Sequence, residues 1–109
     1  MAAGYSLQQN AKGQYQFALK AGNNETILTS EAYESKASAE KGIASVQTNS
    51  ALDERYDRKV AKDGRPYFNL KAGNHQIIGT SQMYSSTASM ENGIKSVKTN
   101  GQSEVIASV

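Results

Sequence analysis

The 109-residue chain contains no cysteine, which excludes disulfides, thiolate metal sites and cysteine nucleophiles together. Histidine occurs once, as His75, so a zinc site would have no second histidine and no cysteine to complete its ligand set. Proline also occurs once, as Pro66. Apolar residues make up 38% of the chain, below the usual range for globular domains. No apolar run approaches membrane-spanning length. The opening Met1-Ala2-Ala3-Gly4-Tyr5 has no basic segment followed by an apolar run, so no secretory signal is expected. The expected compartment is therefore the cytoplasm. Net charge is +2, too small to argue for a polyanion partner. It is unevenly placed: residues 1–51 carry four Lys and four Glu, residues 52–109 eight basic and six acidic side chains.

The chain does have a repeat. Residues Gln14 to Ser50 align without a gap on Arg65 to Gly101 at a constant offset of 51, with 20 of 37 positions identical. The shared skeleton is F-x-L-K-A-G-N, then I-x-T-S, then Y-x-S-x-A-S-x-E-x-G-I-x-S-V-x-T-N. Tyr5 on Tyr56 and Gly13 on Gly64 extend it backward. Two copies make a pseudo-symmetric domain rather than an open array. We read residues 1–109 as one domain, with repeat 1 over 4–50, repeat 2 over 55–101 and a tail over 102–109.

Within each copy the hydrophobic period changes from two to 3.6. Tyr5 and Leu7 alternate in Gly4–Gln9, and Tyr15, Phe17 and Leu19 alternate with Gln16, Ala18 and Lys20, the pattern of half-buried strands. Asn10-Ala11-Lys12-Gly13 and Gly22-Asn23-Asn24 are turns whose Gly or Asn suits positive φ. Glu25–Ser30 is a third strand, and Ala39, Ile43 and Val46 then share one helix face behind a Ser35 cap. Gly42 lies inside that helix, where glycine costs about 1 kcal/mol relative to alanine. Its counterpart is Gly93, and close approach of helix to sheet explains both. The second copy repeats the order: strands Arg55–Ala61, Pro66–Lys71 and Gln76–Ser81, then helix Thr87–Asn100 with Gly101 as a C′ residue. Proline suits a strand start or edge. The expected fold is α+β: two pseudo-symmetric βββα repeats, an antiparallel sheet and helices packed on it. Phe17, Leu19, Ile27, Ile43 and Val46, with Phe68, Leu70, Ile78, Ile94 and Val97, are the expected core.

The segments Lys20-Ala21-Gly22-Asn23, Ser30-Glu31, Tyr33, Ser35-Lys36-Ala37, Gly42-Ile43 and Ser45-Val46, with their second copy, resemble the YegP-like family of small bacterial proteins. The resemblance spans roughly Tyr5 to Asn100. It implies a ββ(β)α unit found singly or in tandem, the single units pairing as dimers, so that a tandem chain is a fused dimer. It implies no activity, and therefore no catalytic residue. The second copy departs at Gln82 and Thr87, where Glu31 and Lys36 stood.

The residues themselves argue against catalysis. Serines recur at matching positions (Ser30, Ser35, Ser38 and Ser45; Ser81, Ser86, Ser89 and Ser96), but no G-x-S-x-G elbow accompanies them, and caps or helix-surface roles explain them. Asp53, Glu54 and Asp57 cluster without calcium-loop spacing. Glu40 and Glu91 recur as solvated helix positions. Dinucleotide and P-loop patterns are absent. No catalytic residue, metal ligand or cofactor is expected. The expected function is a non-enzymatic binding or interaction module whose ligand the sequence does not name, with a protein or a second copy of the chain as candidate partners. The alternative is weak single-stranded nucleic-acid binding through the second-repeat hairpin, where Arg58, Lys59, Lys62 and Arg65 surround Tyr67 and Lys71. Gln16, Ala18, Lys20, Tyr67, Asn69 and Lys71 are expected to point away from the helices.

Overall fold

In the computed structural model, residues 4–23, 25–103 and 106–108 are described. The opening Met1-Ala2-Ala3, the turn residue Asn24 and the tail residue Val105 lie outside them. Repeat 1 supplies β1 (Gly4–Gln9), β2 (Tyr15–Lys20), β3 (Thr26–Thr29) and α1 (Lys36–Asn49). A 3₁₀ turn at Asp53–Arg55 leads into β4 (Tyr56–Val60), β5 (Pro66–Lys71), β6 (Ile77–Thr80) and α2 (Thr87–Asn100), and β7 (Ile106–Ser108) follows. The two helices begin alike. Ser35 and Ser86 sit in extended backbone, and each hydroxyl accepts the backbone N–H three residues on at 3.1 Å.

The strands form one seven-stranded sheet in the order β4-β5-β6-β3-β2-β1-β7. All pairs are antiparallel except β1 with β7, so the sheet is mixed and the purely antiparallel expectation fails at that edge. The cause is where the tail starts. The Tyr5 hydroxyl donates to the Gly101 carbonyl, which sets the end of α2 beside the start of β1. From there the chain runs along β1 in the same direction, Tyr5 opposite Ile106 and Leu7 opposite Ser108.

The repeats meet at the sheet centre, where Thr29 of β3 pairs with Thr80 of β6. These residues are 51 apart, so each repeat presents the same position to the other, as two subunits do across a twofold axis. The helices cross that axis. α1 lies on β2 and also on β5 and β6; α2 lies on β5 and also on β2 and β3. Tyr56 donates to the Ser50 carbonyl at the end of α1 at 2.6 Å, mirroring the Tyr5–Gly101 bond. These bonds satisfy carbonyls that a helix end leaves without partners. Neither repeat buries its apolar face alone. All ten expected core residues fall in a single buried cluster, joined by Tyr5, Leu7, Leu28, Ala39, Tyr56 and Met90.

Four glycines carry the close packing. A Cβ on Gly42 would lie 2.5 Å from the Tyr33 hydroxyl oxygen and 2.9 Å from Phe17 Cε2, and on Gly93 it would strike the Tyr84 ring, with Cζ at 2.6 Å. The obstacle is thus an aromatic pair seated beneath each helix, Tyr33 stacked on Phe17 and Tyr84 on Phe68. Gly79 is the counterpart of Leu28, and a Cβ there would lie 2.7 Å from Leu28 Cγ. Gly101 is not the left-handed C′ residue expected. Its φ is −64°, and glycine is required because a Cβ would lie 2.5 Å from that of Ser50, its own counterpart.

The hairpin turns also shift one expectation. Gly13 and Gly64 take φ of +82° and +88°, but in the β5–β6 turn the left-handed residue is His75, at φ +69°, rather than Gly73. A side chain there costs roughly 1–2 kcal/mol. Part of the gain from removing it is offset because glycine increases the freedom of the unfolded chain. We therefore expect His75→Gly to stabilise the fold by about 0.5–1 kcal/mol in urea denaturation. Destabilisation would show that the imidazole makes a compensating contact.

Candidate binding face

Both helices lie on one side of the sheet, so its other side is uncovered. Strand register assigns the side chains. Tyr5 opposite Leu19, Leu7 opposite Phe17 and Tyr56 opposite Leu70 point to the core; Ser6 opposite Ala18, Gln8 opposite Gln16, Asp57 opposite Asn69 and Lys59 opposite Tyr67 point away from it. The outward positions read from the sequence, Gln16, Ala18, Lys20, Tyr67, Asn69 and Lys71, are all on this open face. On the axis itself, where β3 and β6 meet only through Thr29 and Thr80, a depression of about 350 Å³ opens between Thr26, Thr29, Glu31, Thr80 and Gln82.

The expected second-repeat patch is divided. Arg58 falls on the helix side of β4, where it bonds Glu91 of α2 at 2.6 Å and Asp53 at 3.1 Å. It stands where repeat 1 has Leu7. Lys59 and Lys71 are on the open face, each paired with Asp57, at 3.5 and 3.1 Å. Arg65 turns back onto Asp63 at 2.7 Å. Lys62 is exposed in the hairpin turn, and Tyr67 is half-buried. The six residues therefore do not form one basic surface.

Recurring serines resolve into three structural uses. Ser35 and Ser86 cap helices, bonded to Ser38 and Ser89. Ser45 and Ser96 accept from the Asn49 and Asn100 amides one turn on. Ser30 and Ser81 do something that spacing alone did not suggest. Each buried hydroxyl accepts the N–H of Phe17 or Phe68 and donates to the next carbonyl, closing a break in the strand ladder. Among the described residues no group of three acidic or histidine side chains is placed to hold a metal ion. His75 sits at its turn, lining a surface hollow with Glu31 and Tyr33.

Four carboxylates in and just before repeat 2 are held below the usual range: Glu91 by its hydrogen bond from Arg58, Asp53 by Lys98 and then Arg58, Asp57 by Lys71, and Asp63 by the Arg65 backbone N–H. Depressed folded-state values mean that the unfolded chain binds more protons, so this stability is present above about pH 4 and lost as pH falls through the folded values. We expect the urea midpoint to fall as pH drops from about 5 to about 3, the range of ordinary carboxylates, and less so at high salt. A midpoint flat across that window would show these pairs to be energetically silent.

The chain matches the family described as Domain of unknown function (DUF1508) twice, over residues 10–57 and 61–107. It belongs to that family. The UPF0339 protein YegP of Shigella flexneri is 60% identical over 106 residues, which is 97% of this chain and 96% of the relative. A UPF0339 protein of Bordetella pertussis is 57% identical over 98 residues, 90% of this chain and 88% of its own. Two solution NMR structures share the fold at 58% identity. They are yegP of E. coli, a protein of unknown function, with a TM-score of 0.94 over 99% of this chain and 93% of that one, and a UPF0339 protein of Shewanella oneidensis, with 0.93 over 99% and 92%. No helix among the described residues is long and apolar enough to cross a membrane.

Proposed function

We propose that the protein is a non-catalytic binding module that takes its ligand on the sheet face opposite the helices. One observation carries this reading: both helices pack on the same side, leaving an uncovered polar face with hollows on and beside the axis. The engagement of the recurring serines in caps, turns and ladder repair supports binding over nucleophilic chemistry. Single-stranded nucleic acid is the less supported ligand. Of the six residues that suggested it, only Lys59, Tyr67 and Lys71 share the open face, and both lysines already face Asp57. Pairing through the free edge of β4 is also disfavoured, since Arg58 and Lys59 charge that edge.

An NMR screen of the full chain with a library of small polar fragments tests the reading. Hits should collect on the amides of Gln16, Ala18, Thr29 and Thr80. Hits gathered on the helices, or none at all, would overturn it.

A further inference from the structure

In repeat 2 the open face is closed by its own side chains. Asp57 receives Lys71 and Lys59, and the Thr80 hydroxyl donates to Asn69 Oδ1 at 2.9 Å. Fifty-one residues earlier the corresponding positions are Ser6 for Asp57, Gln8 for Lys59, Lys20 for Lys71 and Ala18 for Asn69. The ammonium is kept and its carboxylate is lost. Among the described residues Lys20 makes no ion pair, and Ala18 leaves open the space that Asn69 fills. What remains is a depression of about 230 Å³ bordered by Ser6, Gln8, Gln16, Ala18, Lys20 and Thr29.

We propose that this depression binds a small carboxylate anion of dicarboxylate or amino-acid size, its carboxylate seated beside Lys20 as Asp57 is seated beside Lys71. The inference rests on the reading of the open face as a binding surface and names the ligand class for its repeat 1 half. The volume is below the roughly 300–1,000 Å³ of drug-sized sites, which limits the ligand to a small molecule. Lys20 is the one charged residue among those bordering residues, which suits a single carboxylate better than a polyphosphate. Polar partners are at hand. The Gln8 amide reaches the Ser6 hydroxyl only at 3.5 Å, a contact long enough for a ligand to replace. The Gln16 amide gives one of its two N–H groups to the Ser30 carbonyl at 2.8 Å, which leaves the other as a donor to a carboxylate. A half-exposed lysine gives modest attraction, so affinity on the order of millimolar is expected.

The test is a titration of the ¹⁵N-labelled full chain with succinate at fixed ionic strength, with the neutral diamide succinamide as control. Saturable shifts at Ser6, Ala18, Lys20 and Thr29 are expected with succinate and not with succinamide. Lys20→Gln should weaken binding by at least about tenfold. Ser6→Asp should abolish it by supplying the carboxylate internally, and the spectrum of each variant reports that it is folded. Absence of saturable shifts, or shifts unchanged in Lys20→Gln, would overturn the proposal. If neutral fragments bind the open face while succinate does not, the carboxylate inference alone fails; a face that binds neither sinks both readings.

Discussion

Replacing Gly79 by leucine, which would make the two repeats identical at this position, is expected to destabilise the protein by about 3 kcal/mol. Gly79 and Leu28 are counterparts, one on each side of the Thr29–Thr80 pair. A Cβ on Gly79 already lies within 2.7 to 3.1 Å of three Leu28 side-chain carbons, and Leu28 is fully enclosed. Overpacking a rigid core forces strained rotamers or backbone shifts, typically at 1–3 kcal/mol and occasionally more. The double exchange Leu28→Gly/Gly79→Leu restores one leucine and one glycine across the axis and should recover much of the loss. Additivity of the two single effects would refute the claim that these residues share one space. The same arrangement has a consequence for pairing. Two copies of repeat 1 joined as repeat 1 is joined to repeat 2 would bring two Leu28 side chains together, so fusion into one chain permits an asymmetry that a symmetric dimer would not.

The second large effect reverses a rule. In an exposed helix interior, glycine to alanine stabilises by about 1 kcal/mol. Gly93→Ala is expected instead to destabilise by about 1–3 kcal/mol net, because the new methyl meets the Tyr84 ring stacked on Phe68. Gly42→Ala should behave alike through Tyr33 and Phe17. Tyr84→Phe removes the hydroxyl but leaves Cζ, at 2.6 Å, in the way, so it should restore only part of the loss. Stabilisation by either alanine would mean that the helices sit farther from the aromatic layer than described.

Much of this architecture is legible in the sequence because it is local. The Ser35 and Ser86 caps, the period change after Tyr33 and the positive φ of Gly13 and Gly64 each depend on residues a few positions apart. Glycine in both helices was readable as close packing, though the partner, Tyr33 or Tyr84, was not. What escapes the sequence is nonlocal. Nothing near Leu28 or Gly101 shows that each packs against its own repeat counterpart, and nothing in the tail shows that β7 returns to β1. Arg58 misled for a related reason. Lys59, Lys62 and Arg65 follow it in the chain, but strand alternation turns it toward Glu91, thirty-three residues away. Lys20, without an ion pair among the described residues, was hidden differently: K-A-G-N is identical in both copies, and the difference lies in the facing strand, Ser6 against Asp57.

On this proposal the open face is divided, one half closed by its own side chains and the other left for a ligand. Exchanging the residues that decide this, in the variant Ser6→Asp/Ala18→Asn/Asp57→Ser/Asn69→Ala, tests it most directly by amide-resolved titration with succinate. Shifts should leave Lys20 and Thr29 and appear at Lys71 and Thr80. Shifts that stay with repeat 1, or that vanish from both halves of the folded variant, would contradict it.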